Sequence, residues 1–313
     1  MAYLLEQLKE LSTVVADTGD FSLIRQYQPR DVTTNPSLIL KVAQMADYQS
    51  LVQSAVAAAR LENPDDWQDD AIDRISVAFG VELSKLVSGV VSTEVAAVLS
   101  FDTPAMIAKA RQLIALYAQH GVAKERVLIK LASTWEGIQA AKKLEQEGIR
   151  CNLTLVFNLV QAVAAAEAGV YLISPFVGRI YDWYQQRGGA DFATQADPGV
   201  ASVQQIYHYF KSHKYPTVVM AASFRSIKQI TDLSGCDRLT ISPALLQELG
   251  QIEGHLTCAL SDQSIQSPAT IDSSEAAFRL AMNNDEMAHE KLAEGIRQFD
   301  KDYKTLSIMI RTL

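Results

Sequence analysis

The stretch Val127-Leu128-Ile129-Lys130-Leu131-Ala132 is a run of apolar residues interrupted by a single lysine. A strand with one solvated face alternates apolar and polar residues, whereas a strand buried on both faces is apolar throughout. Val218-Val219-Met220 repeats the continuously apolar pattern later in the chain. Both stretches therefore predict central strands of a parallel sheet that is covered on both faces.

Short β-rich runs recur along the chain and alternate with longer helical stretches such as Thr103–Gln119. Eight strands alternating with helices in about 250 residues are typical of a (β/α)8 TIM barrel. The alternative is an open doubly wound sheet, but no GxGxxG motif follows the first strand, which weakens a dinucleotide-binding version of it. The predicted strands are Thr13–Asp17, Asp31–Asn35, Gly89–Val95, Val127–Ala132, Cys151–Val156, Tyr171–Val177, Thr217–Ser223 and Arg238–Ser242.

The whole chain, residues 1–313, is predicted to form a single barrel domain with a helical C-terminal extension over about residues 244–313. Glu290–Phe299 has the most regular helical pattern of this tail. The polar stretch Gln186–Pro198 is interpreted as an ordinary solvated connection, with a mobile lid as the alternative.

The charge balance excludes several classes of partner. The chain has 28 Lys and Arg against 36 Asp and Glu, a net charge of −8, and no basic block, so nucleic acid is not expected to bind. No segment approaches the long uncharged run of a transmembrane helix, so no membrane partner is expected. Cys151, Cys236 and Cys258 form no CxxC motif, and reduced thiols in a cytoplasmic protein are the simplest interpretation.

Polar side chains occupy the C-terminal end of nearly every predicted strand, which in a barrel is where the active site forms. Residues two apart share one face of a strand, so paired polar residues point the same way. Lys130, Asn152 and Ser174 are spaced 22 and then 22 residues apart, and we expect them at equivalent heights on successive strands. The full set is Asp17, Thr33, Asn35, Ser92, Glu94, Lys130, Asn152, Thr154, Ser174 and Ser223.

Lys130 is the strongest single signal because it lies inside an apolar strand. Such a lysine snorkels to solvent, forms a salt bridge or acts as a functional amine. The carboxylates Asp17 and Glu94 on other strand ends favour the functional amine, since burial leaves a fraction of neutral amine that attacks a carbonyl and forms a Schiff base. The two carboxylates suit acid–base catalysis, and they also suit the simpler role of charge partners for the lysine.

Other kinds of catalysis find less support. No histidine lies on a predicted strand end, which removes the usual zinc ligands. Two carboxylates with neutral amides suit Mg²⁺, but Lys130 would compete with the ion. A serine nucleophile lacks both a GxSxG elbow and a histidine partner. We therefore expect neither a metal nor a cofactor. The histidines, on predicted helices or in the C-terminal region, are His120, His208, His213, His255 and His289.

Arg179, Ser223 and Arg225 cluster just beyond the sixth and seventh predicted strands. The planar fork of arginine suits phosphate, and barrels often bind phosphate near their last strands. A surface salt bridge explains either arginine alone, whereas phosphate better explains the three together. The residues by themselves thus point to a metal-free Schiff-base enzyme that acts on a phosphorylated carbonyl compound.

Two segments resemble the signature motifs of the transaldolases: Asp31-Val32-Thr33-Thr34-Asn35-Pro36-Ser37-Leu38-Ile39, and the run from Val127 to Gly137 that contains Lys130. The similarity covers nearly the whole chain and is closest to the long bacterial and eukaryotic-type enzymes. It implies a barrel of the class I aldolase type and a homodimer. It also implies transfer of a dihydroxyacetone unit between sugar phosphates in the pentose phosphate pathway.

The resemblance also implies a role for each site residue. Lys130 forms the imine, Asp17 deprotonates the C4 hydroxyl, and Glu94 and Thr154 hold a water molecule that shuttles protons. The donor hydroxyl groups are bound by Asn35, Asn152 and Ser174, with Thr33 in support; the phosphate is bound by Arg179, Ser223 and Arg225; and Phe176 forms an apolar wall.

Two alternatives remain open at this point. A lyase would use the same Schiff base and release free dihydroxyacetone, but the related fructose-6-phosphate aldolases carry Tyr and Gln in place of Phe176 and Glu94, which favours transfer. A non-catalytic binding barrel is the other alternative. The chain departs from related sequences at Asn158-Leu159 and at Ala221, where Ser-Phe and Gly are common.

Overall fold

The computed structural model describes residues 2–188, 196–261 and 268–313. Its strands β1 to β8 pair in sequence order, all parallel, and close on themselves between β8 and β1. The predicted (β/α)8 barrel is confirmed, and the open-sheet alternative is wrong. The strands are β1 Thr13–Asp17, β2 Asp31–Thr33, β3 Val91–Glu94, β4 Val127–Ala132, β5 Cys151–Val156, β6 Leu172–Pro175, β7 Val218–Ala221 and β8 Arg238–Ile241.

Helices surround the barrel and connect its strands. Short 3₁₀ turns at Ala46–Tyr48, Ala97–Leu99 and Lys124–Arg126 complete the connections. The helices are α1 Leu4–Leu11, α2 Phe21–Tyr27, α3 Pro36–Ala43, α4 Gln49–Glu62, α5 Trp67–Leu86, α6 Thr103–Gln119, α7 Trp135–Gln146, α8 Leu159–Glu167, α9 Gly178–Gln186, α10 Pro198–Ser212, α11 Ile227–Thr231, α12 Pro243–Leu249, α13 Glu275–Asn284 and α14 Glu286–Ile310.

The second strand ends earlier than predicted. The predicted run reached Asn35, but β2 stops at Thr33. Asn35 instead caps α3, because its Oδ1 accepts a hydrogen bond of 2.9 Å from the backbone N–H of Leu38, and Pro36 occupies the first turn of that helix. The Asn35 backbone is still extended, as is usual for an N-cap residue, but its side chain is fixed by α3 rather than by the sheet.

Five side chains pack inside the lower half of the barrel as a small apolar cluster, separate from the larger core between strands and helices. Alternation along each strand then decides what points inward above it. Lys130 lies two residues beyond Leu128 on the same face, and Asp17 lies two beyond Val15. The apolar cluster therefore forms a floor, and the next inward layer is polar. The cluster comprises Val15, Val90, Leu128, Leu172 and Met220.

The C-terminal tail is only partly helical. After α12, the described residues 250–261 and 268–274 contain no helix, and the chain then forms α13 and the 25-residue helix α14. Helix α14 packs against α3, α5 and α9. Part of the predicted connection Gln186–Pro198, residues 189–195, lies outside the described residues. In the part of the chain that the structure covers, no helix is both long and apolar enough to cross a membrane.

A buried ion pair links β2 and β8 at the N-terminal end of the barrel. Asp31 at the start of β2 contacts Arg238 at the start of β8, with Nη1 and Oδ2 2.6 Å apart and the two side chains 4% and 14% exposed. Asp31 Oδ1 also accepts a hydrogen bond of 2.8 Å from the Val90 backbone. Gly89 makes space for this carboxylate, since a Cβ there would lie 1.7 Å from Asp31 Oδ1.

We predict that Asp31→Ala lowers the free energy of unfolding by about 3 kcal/mol, because it leaves the Arg238 charge buried without its partner. Urea denaturation measures this loss. Lys85→Ala is the matched control: it removes an exposed ion pair with Glu82 and should cost less than about 1 kcal/mol. Equal losses in the two variants would contradict the assignment of Asp31 and Arg238 as a structural pair.

Candidate active site

Lys130 lies near the middle of β4, and its side chain is 6% exposed. Its Nζ is 3.1 Å from Glu94 Oε2 and donates a hydrogen bond of 3.1 Å to the backbone carbonyl of Thr34. The strand register pairs Lys130 with Glu94 on β3 and with Asn152 on β5. The amine, a carboxylate and an amide therefore lie in one layer of the barrel.

Asp17 ends β1 and reaches the same layer from the other side of the barrel. Thr33 Oγ1 donates a hydrogen bond of 3.0 Å to Asp17 Oδ1 and lies 2.8 Å from Thr240 Oγ1 on β8. Burial raises the pKa of Asp17, and the positive charge of Lys130 and the hydrogen bond from Thr33 partly oppose that rise. Burial therefore determines the direction of the shift in the pKa of Asp17, and Lys130 and Thr33 limit it.

Glu94 is a buried carboxylate with few partners. Burial raises its pKa, and the nearby charge of Lys130 opposes the rise. Its Oε2 makes the ion pair with Lys130 but no aligned hydrogen bond, and Thr154 Oγ1 and Ser133 Oγ are also buried without a partner among the described residues. A buried oxygen left unpaired costs roughly 1–3 kcal/mol. These atoms therefore indicate places where ordered water completes the structure.

A short polar chain joins strands β6, β5 and β3 and spans β4, the strand that carries Lys130. Ser174 on β6 donates a hydrogen bond of 2.6 Å to Asn152 Oδ1, and Asn152 Nδ2 donates one of 3.2 Å to Ser92 Oγ on β3. All three residues are at most 2% exposed. These bonds fix the orientation of the Asn152 amide, which the sequence pattern alone did not specify.

Arg179 lies in the first turn of α9, at the rim of the barrel. Its guanidinium stacks over two aromatic rings, at 4.9 Å from the centre of Phe176 and 5.5 Å from the centre of Phe299. Burial lowers the pKa of Arg179, and the nearby carboxylate of Glu294 partly opposes this. The arginine remains a cation, held in place by aromatic packing, with its charge next to the cavity.

Arg225 is the more exposed cation at this rim. Its Nη2 is 2.7 Å from Asp182 Oδ2, and its Nη1 donates a hydrogen bond of 3.2 Å to Ser223 Oγ. Ser223 adopts a left-handed backbone conformation, with φ of 65°. Gly178 permits the close packing of α9 here, because a Cβ on it would lie 2.1 Å from the Ser223 carbonyl oxygen. The loop after β7 and the start of α9 thus place two arginines side by side.

A cavity of about 170 Å³ connects these groups at the C-terminal ends of the strands. Of the twelve residues predicted for the site, Glu94 and Asn152 do not line it but contact the lining residues Lys130 and Ser174. The other ten line the cavity directly. They are Asp17, Thr33, Asn35, Lys130, Thr154, Ser174, Phe176, Arg179, Ser223 and Arg225. Among the described residues, no group of three or more His, Cys, Asp or Glu side chains is arranged to hold a metal ion.

Several residues at the site were missed by sequence reasoning. Phe299 comes from α14, where the sequence indicates a helix but not which face meets the barrel. Thr240 lies on β8 and becomes a neighbour of Thr33 only because the barrel closes. Asp182, which pairs with Arg225, is an ordinary polar residue of an amphipathic helix. Of these three residues, only Thr240 could have been found from the sequence, because the two-residue alternation of β8 places it on the inward face.

The unusual Asn158 belongs to the architecture around the site. Its Oδ1 caps α8 by accepting a hydrogen bond from Gln161, and its Nδ2 donates one of 3.1 Å to Asp285 at the start of α14. The residue thus connects the β5 end of the barrel to the helix that carries Phe299. Ala221 is buried in β7, and no contact in the structure explains its preference over glycine.

Comparison with known proteins gives a consistent result over the whole chain. Residues 14–310 match the model of the family described as Transaldolase/Fructose-6-phosphate aldolase. A transaldolase of Shewanella sp. (strain W3-18-1) is 56% identical over 317 residues, covering 99% of this chain and 98% of the relative. A transaldolase of Marinomonas sp. (strain MWYL1) is 55% identical over 315 residues, covering 100% of both. A transaldolase of Aeromonas salmonicida (strain A449) is 54% identical over 312 residues, covering 99% of both.

We predict that Thr33→Val raises the pKa of Asp17, because it removes a hydrogen bond that stabilises the carboxylate. Carboxyl-carbon NMR across the acidic and neutral pH range measures the shift. Thr240→Val is the control, since it removes a contact of Thr33 but leaves the bond from Thr33 to Asp17 intact. An unchanged pKa in Thr33→Val, or an equal rise in both variants, would show that this bond does not tune Asp17.

Proposed function

This chain belongs to the transaldolase/fructose-6-phosphate aldolase family, and from that membership we propose that it is a transaldolase of the non-oxidative pentose phosphate pathway. It reversibly transfers a dihydroxyacetone unit from sedoheptulose 7-phosphate or fructose 6-phosphate to glyceraldehyde 3-phosphate or erythrose 4-phosphate. The observation that carries the proposal is the buried amine of Lys130, held 3.1 Å from the Glu94 carboxylate at the bottom of a cavity with an arginine rim.

The reaction begins with an imine on Lys130. Glu94 takes a proton from the ammonium, and the neutral amine attacks the C2 carbonyl of the ketose to give a carbinolamine. Loss of the C2 hydroxyl as water forms the iminium ion. In this proposal a water molecule bound by Glu94 and Thr154 carries the proton, and the lack of a protein partner for Glu94 Oε2 and Thr154 Oγ1 supports this step.

Asp17 then acts as the general base for cleavage. It removes the proton of the C4 hydroxyl, the C3–C4 bond breaks, and the bonding electrons move into the iminium to give an enamine on Lys130. The aldose phosphate leaves with a new C4 carbonyl. The iminium accepts the electron pair, so the proposed reaction uses neither a metal ion nor a cofactor. The raised pKa of Asp17 supports its role, because a more basic carboxylate removes the proton more readily.

The enamine waits for the acceptor aldehyde. Its C3 carbon attacks the aldehyde carbon, a new C–C bond forms, and the proton held by Asp17 returns to the resulting alkoxide. Water then hydrolyses the product iminium and restores the amine of Lys130. In this proposal Asn35, Asn152 and Ser174 bind the donor hydroxyl groups, which the fixed amide orientation of Asn152 supports.

The phosphate group binds at the rim of the barrel. Arg179, Arg225 and the hydroxyl of Ser223 face the cavity there and supply two cations and a hydrogen-bond donor. Asp182 forms an ion pair with Arg225, which keeps the Arg225 guanidinium at the cavity rim. Because the overall charge of the chain is −8, this local pair of arginines provides the attraction for the anionic substrate.

Transfer is favoured over simple release of dihydroxyacetone. Phe176 presents an apolar ring to the cavity where the related aldolases carry tyrosine, so it offers the enamine no hydroxyl from which to take a proton. The ring packs edge-on against Phe157, 5.5 Å away between centroids, and against the Arg179 guanidinium. An enamine beside this wall survives until the acceptor arrives.

We also propose that the enzyme works in the cytoplasm as a homodimer with sugar phosphates as its partners. The free cysteines support the cytoplasmic location, because cysteines usually remain reduced in a reducing compartment. Cys151 and Cys236 are buried free thiols. The homodimer rests on the resemblance to the transaldolases, whose long bacterial subgroup usually forms one.

We predict that fructose 6-phosphate followed by borohydride leaves a three-carbon adduct on Lys130, detected by peptide mass spectrometry. Adding erythrose 4-phosphate before the borohydride should discharge the adduct, because the acceptor takes the dihydroxyacetone unit. A three-carbon adduct that persists after acceptor addition, with free dihydroxyacetone accumulating, would indicate a lyase. A folded protein without any adduct on Lys130 would refute the Schiff-base mechanism.

Asp17→Asn is the matched variant for this experiment. It should still form the imine but should not cleave the C3–C4 bond, so the adduct on Lys130 should retain all six carbons of the donor. Its normal turnover would exclude Asp17 as the base. Lys130→Met, which removes the amine and keeps an unbranched side chain, should give no adduct at all.

We predict that Arg179→Met lowers kcat/KM for phosphorylated donors about 10- to 100-fold, the value of one or two charge-assisted hydrogen bonds. Methionine keeps the packing against Phe176 and Phe299 while it removes the charge. The rate with unphosphorylated dihydroxyacetone donors should change little, and steady-state kinetics compares the two. Arg187→Met, just after α9 and outside the cavity, is the control. An equal loss for both donor types would contradict phosphate binding by Arg179.

A further inference from the structure

A second, smaller cavity lies beside the mouth of the barrel, enclosed by residues of α3, α5 and α14. Its volume is about 20 Å³, enough for a single water molecule. Asn35 lines both cavities, whereas Glu94 lines the small one and contacts Lys130, which lines the large one. Glu94 and Asn35 therefore form the partition between the two spaces.

The Glu94 carboxylate, which lines the small cavity, is short of hydrogen-bond partners. Its side chain is 5% exposed, and apart from the Lys130 ammonium no described group offers it a hydrogen bond. An ionised carboxylate accepts about four hydrogen bonds in its usual surroundings. A water molecule in the small cavity supplies a further donor to this carboxylate, in addition to the water that Glu94 shares with Thr154.

The outer wall of the small cavity offers further partners for such a water. The Ser76 hydroxyl of α5 makes no hydrogen bond to another described residue. Asp73, one turn earlier on the same helix, pairs with Lys109 through Oδ2, which leaves Oδ1 without a described donor. Buried waters in proteins make two to four hydrogen bonds, and Glu94, Ser76 and Asp73 together provide that number.

We propose that this small cavity holds an ordered water behind Glu94 and is the route by which water enters and leaves the imine centre. The proposal rests on the proposed function, since imine formation releases one water from the carbinolamine and imine hydrolysis consumes one. Ser76 and Asp73 are positioning residues that hold the water next to Glu94. They act through that water and do not touch the substrate.

A separate route matters because the substrate itself closes the main entrance. A sugar phosphate whose C2 lies at Lys130 and whose phosphate lies at Arg179 and Arg225 occupies the mouth of the barrel. Water formed at C2 then has no direct path to solvent on that side. The small cavity reaches from Glu94 to Tyr303 of α14, whose hydroxyl donates a hydrogen bond of 3.1 Å to Asp69 Oδ1 at an exposed position, and the proposed route leaves the protein on that side.

Ser76→Val tests this route, because valine fills the cavity and removes one of its polar groups without reaching the large cavity. Formation of the three-carbon adduct on Lys130, followed by rapid borohydride quenching, should slow about tenfold, the effect of leaving one buried acceptor unpaired. The KM for fructose 6-phosphate should remain unchanged. Discharge of a preformed three-carbon adduct by erythrose 4-phosphate should keep its normal rate, because that step exchanges no water, and the product imine should accumulate on Lys130.

Ser54→Val, the same substitution at an exposed position of the neighbouring helix α4, is the control and should behave as the wild type. A crystal structure of the wild-type protein should contain a water within hydrogen-bond distance of Glu94 in the small cavity. Normal adduct formation in Ser76→Val, or a small cavity without water, would overturn the proposal. Absence of any adduct in the wild type would instead refute the proposed function, so the two failures are distinguishable.

Discussion

The burial of one ammonium group inside a closed parallel barrel is the constraint on which the site depends. Lys130 is almost completely removed from bulk solvent, with its side chain 6% exposed, and its charge is stable only where opposite charge and hydrogen-bond acceptors are close. Glu94 and the Thr34 carbonyl provide these at 3.1 Å. The geometry of the barrel then places further polar side chains in the same layer, and Asp17, Thr154 and Ser174 line the cavity together with Lys130.

Strand register is what turns a set of separate sequence positions into a site. Lys130 is flanked by Glu94 and Asn152 because β3, β4 and β5 pair in parallel with those residues opposite each other. Asp17 reaches the layer from β1, and the closing pair of β1 and β8 brings Thr240 beside Thr33. Each residue keeps its position as long as the barrel remains closed, so the stabilising contacts at its lower end also maintain the site indirectly.

The strands were predictable from the sequence because alternation and apolar runs follow from burial alone. Thr13–Asp17, Val127–Ala132 and Cys151–Val156 agree with the structure in both limits, and the inward direction of Lys130 follows from its spacing to Leu128. The sequence pattern placed Asn35 in a strand. Its role as the N-cap of α3 depends on where that helix begins, which the strand pattern does not indicate. The contribution of Phe299 was not predictable, since the docking of α14 depends on contacts far apart in the chain.

Buried oxygens without protein partners distinguish this layer from the rest of the core. Among the described residues, Glu94, Thr154 and Ser133 each contribute one: Glu94 ends β3, Ser133 follows β4, and Thr154 lies two residues before the end of β5. Apolar side chains of similar size would remove this cost and stabilise the barrel. Sequences depart from such local rules mainly at functional sites. Glu94 contacts Lys130 and Thr154 lines the same cavity, so their unpaired oxygens argue that this part of the barrel is arranged to bind water for chemistry.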